Sequence, residues 1–295
     1  MNSSSIKRTV KKALRSLLLV EQRYWKKQFK NDPRIGEYYD ELLCYQGVSM
    51  SKVLLKYLRR FNRSIKTCVF IGDSANYYNF YSRKALFDKV FTFDIKDAER
   101  IPGIYFLDPY WEDQSEVSKG IVYDLSSIGS DHDGRYEFIS KVYPQLENTG
   151  LKTFIRVVSK KPNIKGLSEE KKKVVLSEWE MKIKSPFVSE NAVPFDEFHR
   201  IIRASNCILE IERERQSGIT IRSMSAIANG RKVITTNEFL KERPFFNPRQ
   251  ITIIDRNNPI LDIEWIKERL NFSVPDYLMN LRLDNWVKNL LLEDK

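Results

Sequence analysis

Short apolar runs alternate with segments of helical periodicity along most of this chain. The clearest runs are residues 67–74 and 89–94 in the first half and residues 151–159 and 207–212 in the second. Strands that alternate with helices of about 10 to 15 residues are typical of parallel sheets wound with helices. A polar stretch, residues 111–120, separates the two series. The pattern therefore predicts an α/β protein with two Rossmann-like, doubly wound domains.

This pattern divides the 295 residues into four predicted parts. They are a basic amphipathic helix (1–30), a first Rossmann-like domain (31–117), a second Rossmann-like domain (118–275) and a C-terminal helix (276–295). Within the second domain, the periodicity predicts a charged helix around residues 168–180 and a short strand near residues 181–187.

The net charge of +11 is concentrated near the amino terminus. The chain holds 50 Lys or Arg and 39 Asp or Glu, and residues 1–30 contribute nine basic residues against Glu21 alone. The remaining chain is close to neutral, which argues against a long groove that tracks nucleic-acid phosphates. We therefore expect no nucleic acid as a partner.

Residues 1–30 carry apolar side chains at helical spacing, with most of the cations on the other side. One interpretation is a helix on an anionic membrane surface, where each Lys or Arg contributes about 1 kcal/mol near the lipid head groups. The other is a helix whose apolar face packs on its own domain. The apolar positions are Ile6, Val10, Ala13, Leu14, Leu17, Leu18 and Tyr24.

The cysteine spacing and the hydropathy indicate in which cellular compartment the protein is expected. Cys44, Cys68 and Cys207 lie far apart inside apolar runs, so their spacing offers neither a disulfide framework nor a paired metal motif. No stretch reaches the roughly 18 consecutive apolar residues of a membrane span, and the amino-terminal apolar core is short for a signal peptide. We expect a cytoplasmic protein that is at most peripheral on the inner face of the cell membrane.

Two loops with glycine lead into helices of the second domain. In the first loop Gly129 is followed, through residues 130–134, by Arg135, and in the second loop residues 216–218 precede Arg222. A cation in a first helical turn faces the positive end of the helix dipole, which costs about 0.3–1 kcal/mol unless an anion is near. Free backbone N–H groups and an arginine together favour a diphosphate. The alternative is that each arginine pairs with a local acid.

Carboxylates lie close to both loops in the sequence. Glu210 and Glu212 end an apolar strand where a parallel sheet is buried on both faces, so they need partners. They either accept hydrogen bonds from ribose or sugar hydroxyls or pair with Arg213 and Arg215. The local acids for the two loop arginines are Asp131 and Asp133 for Arg135, and Glu212 and Glu214 for Arg222.

Several motifs occur in an order that is familiar from one enzyme family. They are YDLSSIGSDHDGR (123–135), SNCILEIERERQSGITIR (205–222) and NGRKVITTN (229–237). These stretches resemble the bacterial surface-polysaccharide glycosyltransferases of the GT-B kind, including lipopolysaccharide-core and capsule enzymes. That family typically reads D-x-S-F-I-G before a loop and an arginine, then Q-x-G-L-T-x-R, then G-K-K-L-I-T-T-N. The first half fits through FIGDSANYY and KVFTFD.

The resemblance implies transfer of a sugar from a nucleotide sugar to a glycan or lipid-linked acceptor, in the cleft between two facing Rossmann-like domains. The first domain would hold the acceptor and the second the donor. GT-B enzymes usually stabilise the leaving diphosphate with protein groups, so no metal or other cofactor is expected. The implied donor-site residues are Gly129, Arg135, Glu210, Gln216, Ser217, Gly218, Thr220, Arg222 and Asn237.

An inverting enzyme also needs a general base on the acceptor side. Asp73 and Asp94 each follow a predicted strand and are the candidates. The alternative is that either one caps a helix or forms a turn.

Two departures from the family, Ser225 and the absence of an evident opening strand in the first domain, and one further motif keep other functions open. Ser225 stands where the family usually has a glutamate against the donor ribose, which favours a non-catalytic relative in a polysaccharide-assembly complex. Asp131 and Asp133 have the D-x-D spacing with which metal-dependent GT-A enzymes hold a divalent ion against a nucleotide diphosphate. A turn rich in Asp and Gly explains the same letters by conformation alone.

Overall fold

A computed structural model describes residues 37–46, 52–79, 81–112, 120–271 and 273–291, together with Arg23, Tyr24 and Lys27. Those three residues are helical, and the remainder of the basic helix predicted for residues 1–30 lies outside the described residues. Contacts group the chain into two compact units. The second unit comprises Asp94–Lys96 and Asp108–Asn289, and the other residues form the first.

The first unit is built on a four-stranded parallel sheet. Its elements are β1 (Glu41–Tyr45), α1 (Lys52–Phe61), β2 (Lys66–Ile71), a 3₁₀ helix (Tyr81–Leu86), β3 (Lys89–Thr92), most of α2 (Ile95–Arg100) and β4 (Tyr105–Phe106). The strand order is β1-β2-β3-β4. Strand β2 is buried from Thr67 to Ile71, as an apolar strand of a parallel sheet should be. Val69, Ile71 and Val90 form its core with Tyr81.

The second unit contains a six-stranded parallel sheet. Its elements are β5 (Tyr123–Ser130), α3 (Arg135–Val142), a 3₁₀ helix (Tyr143–Leu146), β6 (Thr153–Val158), α4 (Glu169–Lys182), β7 (Val188–Ser189), α5 (Phe195–Arg203), β8 (Ser205–Glu210), α6 (Ile221–Ala228), β9 (Lys232–Thr235), a 3₁₀ helix (Glu238–Glu242), β10 (Ile251–Ile253), α7 (Ile263–Lys267), α8 (Asp276–Asn280) and α9 (Leu283–Leu291), whose last two residues group with the first unit.

The strand order of this sheet is β10-β9-β8-β5-β6-β7, so the chain reverses direction across the sheet between β5 and β8. Leu125, Ile139, Cys207, Leu209 and Ile234 lie in the core around that point. Two units with parallel sheets confirm the predicted α/β class. The second is doubly wound as predicted, whereas the strand order of the first, β1-β2-β3-β4, does not reverse within the described residues. Among the described residues, none of the helices has the length and apolar character that crossing a bilayer requires.

Helix α4 belongs to the long connection between β6 and β7 and lies beside the carboxyl ends of β5 and β6. Val157 of β6 pairs with Val188 of β7, so the chain between them leaves and returns at the carboxyl end of β6. The Trp179 indole N–H donates to the Ser159 carbonyl oxygen at 3.1 Å, and the Lys182 ammonium lies 3.0 Å from an Asp131 carboxylate oxygen. The last turn of α4 is held there, and no residue of the helix is fully buried.

The strand predicted near residues 181–187 is therefore wrong. Met181 and Lys182 end helix α4, and β7 begins at Val188. The helix thus runs two residues beyond its predicted end, and Lys182, its last residue, bonds to Asp131 outside the helix, a partner that the local sequence does not show.

The contacts divide the chain after Leu107, whereas the sequence predicts a boundary after residue 117 and a separate part at 276–295. Trp111 explains the difference, because its backbone N–H donates to the Leu281 carbonyl at 3.1 Å and its indole N–H to the Leu278 carbonyl at 2.5 Å. Buried Asp108 accepts a hydrogen bond from the Tyr277 hydroxyl at 2.8 Å and pairs with Arg243. These contacts anchor the segment after residue 107 and the C-terminal helices within the second unit.

Candidate functional site

Polar side chains of the second unit gather where its strand order reverses. Strand β5 ends at Ser130, β8 at Glu210 and β9 at Thr235, and these strands are neighbours. Doubly wound sheets bind ligands outside the carboxyl ends of their strands at such a point. We call this region the carboxyl edge. All of the donor-site residues predicted from sequence belong to its strand ends, loops and helix starts: Gly129, Arg135, Glu210, Gln216, Ser217, Gly218, Thr220, Arg222 and Asn237.

Arg135 turns back over the strand that precedes it. It is the first residue of α3, and Gly134 before it has a left-handed backbone with φ of 72°. Its guanidinium donates to the Ser130 carbonyl at 2.5 Å and to the Ile211 carbonyl at 2.6 Å. A Cβ at Gly129 would lie 2.8 Å from its Cζ. The space over Gly129, one of the implied donor-site residues, thus holds the Arg135 side chain, and burial lowers the pKa of that side chain.

Arg222 meets a buried carboxylate at the start of α6. Its Nε lies 2.9 Å from Glu210 Oε2 as an ion pair, and its Nη1 donates to the Ile128 carbonyl. The alignment of the ion pair is not that of a hydrogen bond, so Glu210 Oε2 and Arg222 Nε both lack a hydrogen-bond partner among the described residues. The guanidinium also lies 5.2 Å from the ring centre of Phe198 on α5. The acid beside Arg222 is Glu210, and the pairing with Glu212 or Glu214 considered from sequence is not seen.

Glu210 and Glu212 are each only 3% exposed. The Glu212 carboxylate accepts the Thr235 hydroxyl at 2.6 Å and the Thr236 hydroxyl at 3.4 Å. Burial, reinforced by the charge of Glu210, raises the pKa of Glu212 to about 7. One negative charge of this pair is therefore easily neutralised near neutral pH, which leaves the Arg135 and Arg222 cluster more attractive to an anion.

Both aspartates of the D-x-D sequence are paired with cations. Asp131 accepts a hydrogen bond from the Ser159 hydroxyl at 3.1 Å and from Lys182, and Asp133 lies 2.8 Å from Arg213 Nε. Asp133 also lies 3.0 Å from His132 Nδ1. In the described part of the chain, no three His, Cys, Asp or Glu side chains are grouped as metal ligands would be.

Arg256 is a residue of this region that the sequence did not single out. It follows β10, and its guanidinium donates to the Glu212 carbonyl at 2.8 Å and to the Asp133 carbonyl at 3.0 Å. The sequence does contain an indication of this role, because Arg256 directly follows the apolar run ITIID and a residue after a parallel strand lies at the carboxyl edge. Arg256 therefore ties the ends of β8 and β10 to the loop before α3.

The loop of residues 216–218 is held by its neighbours. The Asn237 amide donates to the Ser217 carbonyl at 3.3 Å and to the Gly218 carbonyl at 3.1 Å. The Thr220 hydroxyl caps α6 by accepting the Ser223 N–H at 3.2 Å. These bonds fix the loop and the start of α6 relative to β9.

Asp94 also contributes to this loop. Buried Asp94 accepts the Ser217 hydroxyl at 2.5 Å and the Ser217 N–H at 3.2 Å, and the Lys96 N–H donates to the same hydroxyl at 3.1 Å. Asp94, Lys96 and Ser217 all belong to the second unit. Asp73, the other candidate base, follows β2 and belongs to the first unit.

Comparisons with known proteins gave matches among solved structures. No family model and no curated protein matches the sequence. The apo form of the lipopolysaccharide outer core galactosyltransferase WaaB matches with a TM-score of 0.45 and 13% identity, over 94% of this chain and 80% of that one. Sucrose-phosphate synthase from Thermosynechococcus elongatus matches with a TM-score of 0.41 and 9% identity, over 77% and 62%.

A third similar structure is phage T4 BGT in complex with UDP-glucose. Its TM-score is 0.35 at 14% identity, over 88% of this chain and 77% of that one.

Proposed function

We propose that this chain is a nucleotide-sugar-dependent glycosyltransferase, which moves a sugar to a glycan or lipid-linked acceptor in surface-polysaccharide biosynthesis. One observation carries the proposal: the three ordered sequence motifs that resemble GT-B enzymes converge at the carboxyl edge of one sheet. There they supply the buried Arg135, the partly buried Arg222 and the start of α6.

The cluster suits the departure of a diphosphate. When sugar is transferred, the bond between the anomeric carbon and the diphosphate oxygen breaks, and the diphosphate leaves with the bonding electrons. The acceptor hydroxyl oxygen forms the new bond to the anomeric carbon and gives its proton to a general base, for which Asp73 and Asp94 are the proposed candidates. Arginines and helix N–H groups stabilise the charge that develops on the diphosphate, so we propose that no metal is needed. A phosphate oxygen would give Arg222 Nε the aligned acceptor that Glu210 does not provide.

The proposal is tested first by binding. The purified chain is titrated with UDP, GDP, dTDP, CMP and their sugars, with and without Mn²⁺, by thermal shift and calorimetry. We expect one nucleotide class to stabilise the protein without Mn²⁺. Replacing Arg222 by Ala removes a charge-assisted hydrogen-bond donor, which is worth roughly 1.5–3 kcal/mol. The affinity of this variant for the nucleotide should therefore fall about tenfold or more.

Two further variants sharpen this experiment. Arg222→Lys keeps the charge beside Glu210 but loses the planar fork, so it separates phosphate recognition from loss of the buried ion pair. Arg249→Ala is the matched control, because Arg249 is 70% exposed and pairs only at 3.4 Å with Glu268. Absence of binding by every nucleotide, or equal losses in Arg222→Ala and Arg249→Ala, contradicts the proposal.

A second candidate is a non-catalytic relative that binds a partner in a polysaccharide-assembly complex. It is favoured by the Arg135 guanidinium, which fills the space over Gly129, and by Ser225. Transfer of labelled sugar from the bound donor to a glycan extract excludes this candidate. Nucleotide binding with hydrolysis and transfer both absent supports it.

The metal-dependent alternative makes a different prediction. If Asp131 and Asp133 hold a divalent ion, replacing both by Asn abolishes activity, and EDTA does so in the wild type. In the structure, however, Asp131 forms an ion pair with Lys182 and Asp133 forms one with Arg213. We therefore propose that transfer survives EDTA.

A further inference from the structure

A cavity of about 440 Å³ opens beside the site, between the carboxyl ends of β5 and β6 and helix α4. Ser130 and Asp131 form one side of it, immediately before the loop that carries Arg135. Pockets of this size at strand ends are typical of small-molecule sites. The remaining lining residues are Val158, Ser159, Lys160, Pro162, Val175, Glu178, Trp179 and Lys182.

The wall formed by α4 is held in place. Trp179 is fixed through its indole N–H on the Ser159 carbonyl, and Lys182 through its ion pair with Asp131. Val158, Val175 and Trp179 contribute apolar atoms to the lining of the cavity, and Lys160 and Glu178 contribute polar groups. A flat ring with hydrogen-bonding edges suits such a lining, since base stacking on an aromatic side chain is favourable.

The distance across the sheet fits one extended ligand. Neighbouring strands lie about 4.8 Å apart, so the ends of β8 and β6, with β5 between them, are roughly 10 Å apart. That is about the span from the diphosphate to the base of a nucleoside diphosphate. Resting on the proposed function, we propose that the cavity beside Trp179 holds the nucleoside end of the donor while Arg222 meets its diphosphate.

Calorimetry on the full chain tests this with UDP, GDP and dTDP, and with pyrophosphate as the probe that lacks a nucleoside. Trp179→Ala should weaken binding of the preferred nucleotide at least tenfold and leave pyrophosphate affinity within twofold. Trp179→Phe keeps an aromatic face and should retain most of the affinity. Unfolding temperatures establish that each variant is folded.

A second pair of variants does not depend on Trp179. Val175→Trp fills the cavity from α4 and should also abolish nucleotide preference over pyrophosphate. Val174→Trp is the matched control, because Val174 is the preceding residue, is 56% exposed and does not line the cavity. We expect it to bind like the wild type.

The outcomes separate this inference from the proposed function. If the wild type binds a nucleotide but Trp179→Ala and Val175→Trp bind it equally well, the inference is overturned and the proposed function stands. If both variants change only the KM for the acceptor, the cavity belongs to the acceptor and the inference is again overturned. If the wild type binds no nucleotide, both ideas fall.

Discussion

Gly129 and Arg135 show how the absence of one side chain positions another. The resemblance gives Gly129 as an implied donor-site residue, and the structure has the Arg135 guanidinium in the space beside it. Its acceptor on Ile211 lies 76 positions further along the chain. A spacing argument finds the glycine and the arginine, but it does not find a carbonyl partner at that separation, which is why the sequence alone leaves open whether Arg135 binds an anion or pairs with a local acid.

We predict that Gly129→Ala destabilises the protein through Arg135. The new Cβ would displace the guanidinium from the Ser130 and Ile211 carbonyls, and buried groups that lose hydrogen bonds cost about 1–3 kcal/mol. Urea unfolding measures the loss in free energy of unfolding. In an Arg135→Ala background the same substitution should cost much less, because nothing occupies that space.

The double-mutant cycle decides between two causes. A coupling of about 1 kcal/mol or more between the two substitutions supports contact with Arg135. Equal costs of Gly129→Ala in both backgrounds would locate the strain in the backbone of β5 and contradict the prediction.

Among the elements, the strands were more predictable than helix α4 in the connection between β6 and β7. Strands such as β2 and β8 are apolar runs because parallel sheets bury both faces, and that signal is local. Helix α4 has no buried residue, so its sequence carries no apolar stripe that marks where it ends. Its end is determined by Trp179 and Lys182 through partners on other elements, and the sequence alone does not reveal them.

Helix α6 provides a prediction at this scale. Thr220 caps it through the Ser223 N–H, so Thr220→Ala should lower the free energy of unfolding by about 1 kcal/mol. Thr220→Ser keeps the hydroxyl and should restore most of that loss. Urea titrations of the three proteins measure both effects. Equal stabilities of the Ala and Ser variants would show that the cap contributes nothing measurable.

For the whole molecule, the sequence predicts two α/β units with a boundary after residue 117, whereas the contacts group the residues from Asp108 onward with the second unit. Residues 111–120 are polar and therefore resemble a linker, yet the Trp111 indole N–H bonds to a carbonyl 167 positions later. Asp108 likewise accepts a hydrogen bond from the hydroxyl of Tyr277, which lies 169 positions later, and burial raises the pKa of the Asp108 carboxyl. Composition reports local polarity, whereas a domain boundary depends on contacts that are distant along the chain.

The distribution of charge leads to the last prediction. Because residues 1–30 carry most of the net charge, we expect the chain to bind vesicles that contain anionic lipid and to release them as salt rises. Replacing Lys7, Arg8, Lys11 and Lys12 by Gln should weaken binding at least tenfold, measured by vesicle sedimentation.

The matched control removes the same charge elsewhere. Lys165, Lys171, Lys173 and Lys241 are exposed lysines of the second unit, and replacing these four by Gln lowers the net charge equally. If attraction depends on the concentrated charge of residues 1–30, this control should bind nearly as well as the wild type. If both variants lose binding equally, total charge and not its position governs attraction. If neither variant loses binding, the prediction is wrong, because the charge of residues 1–30 is then not what attaches the chain to the vesicles.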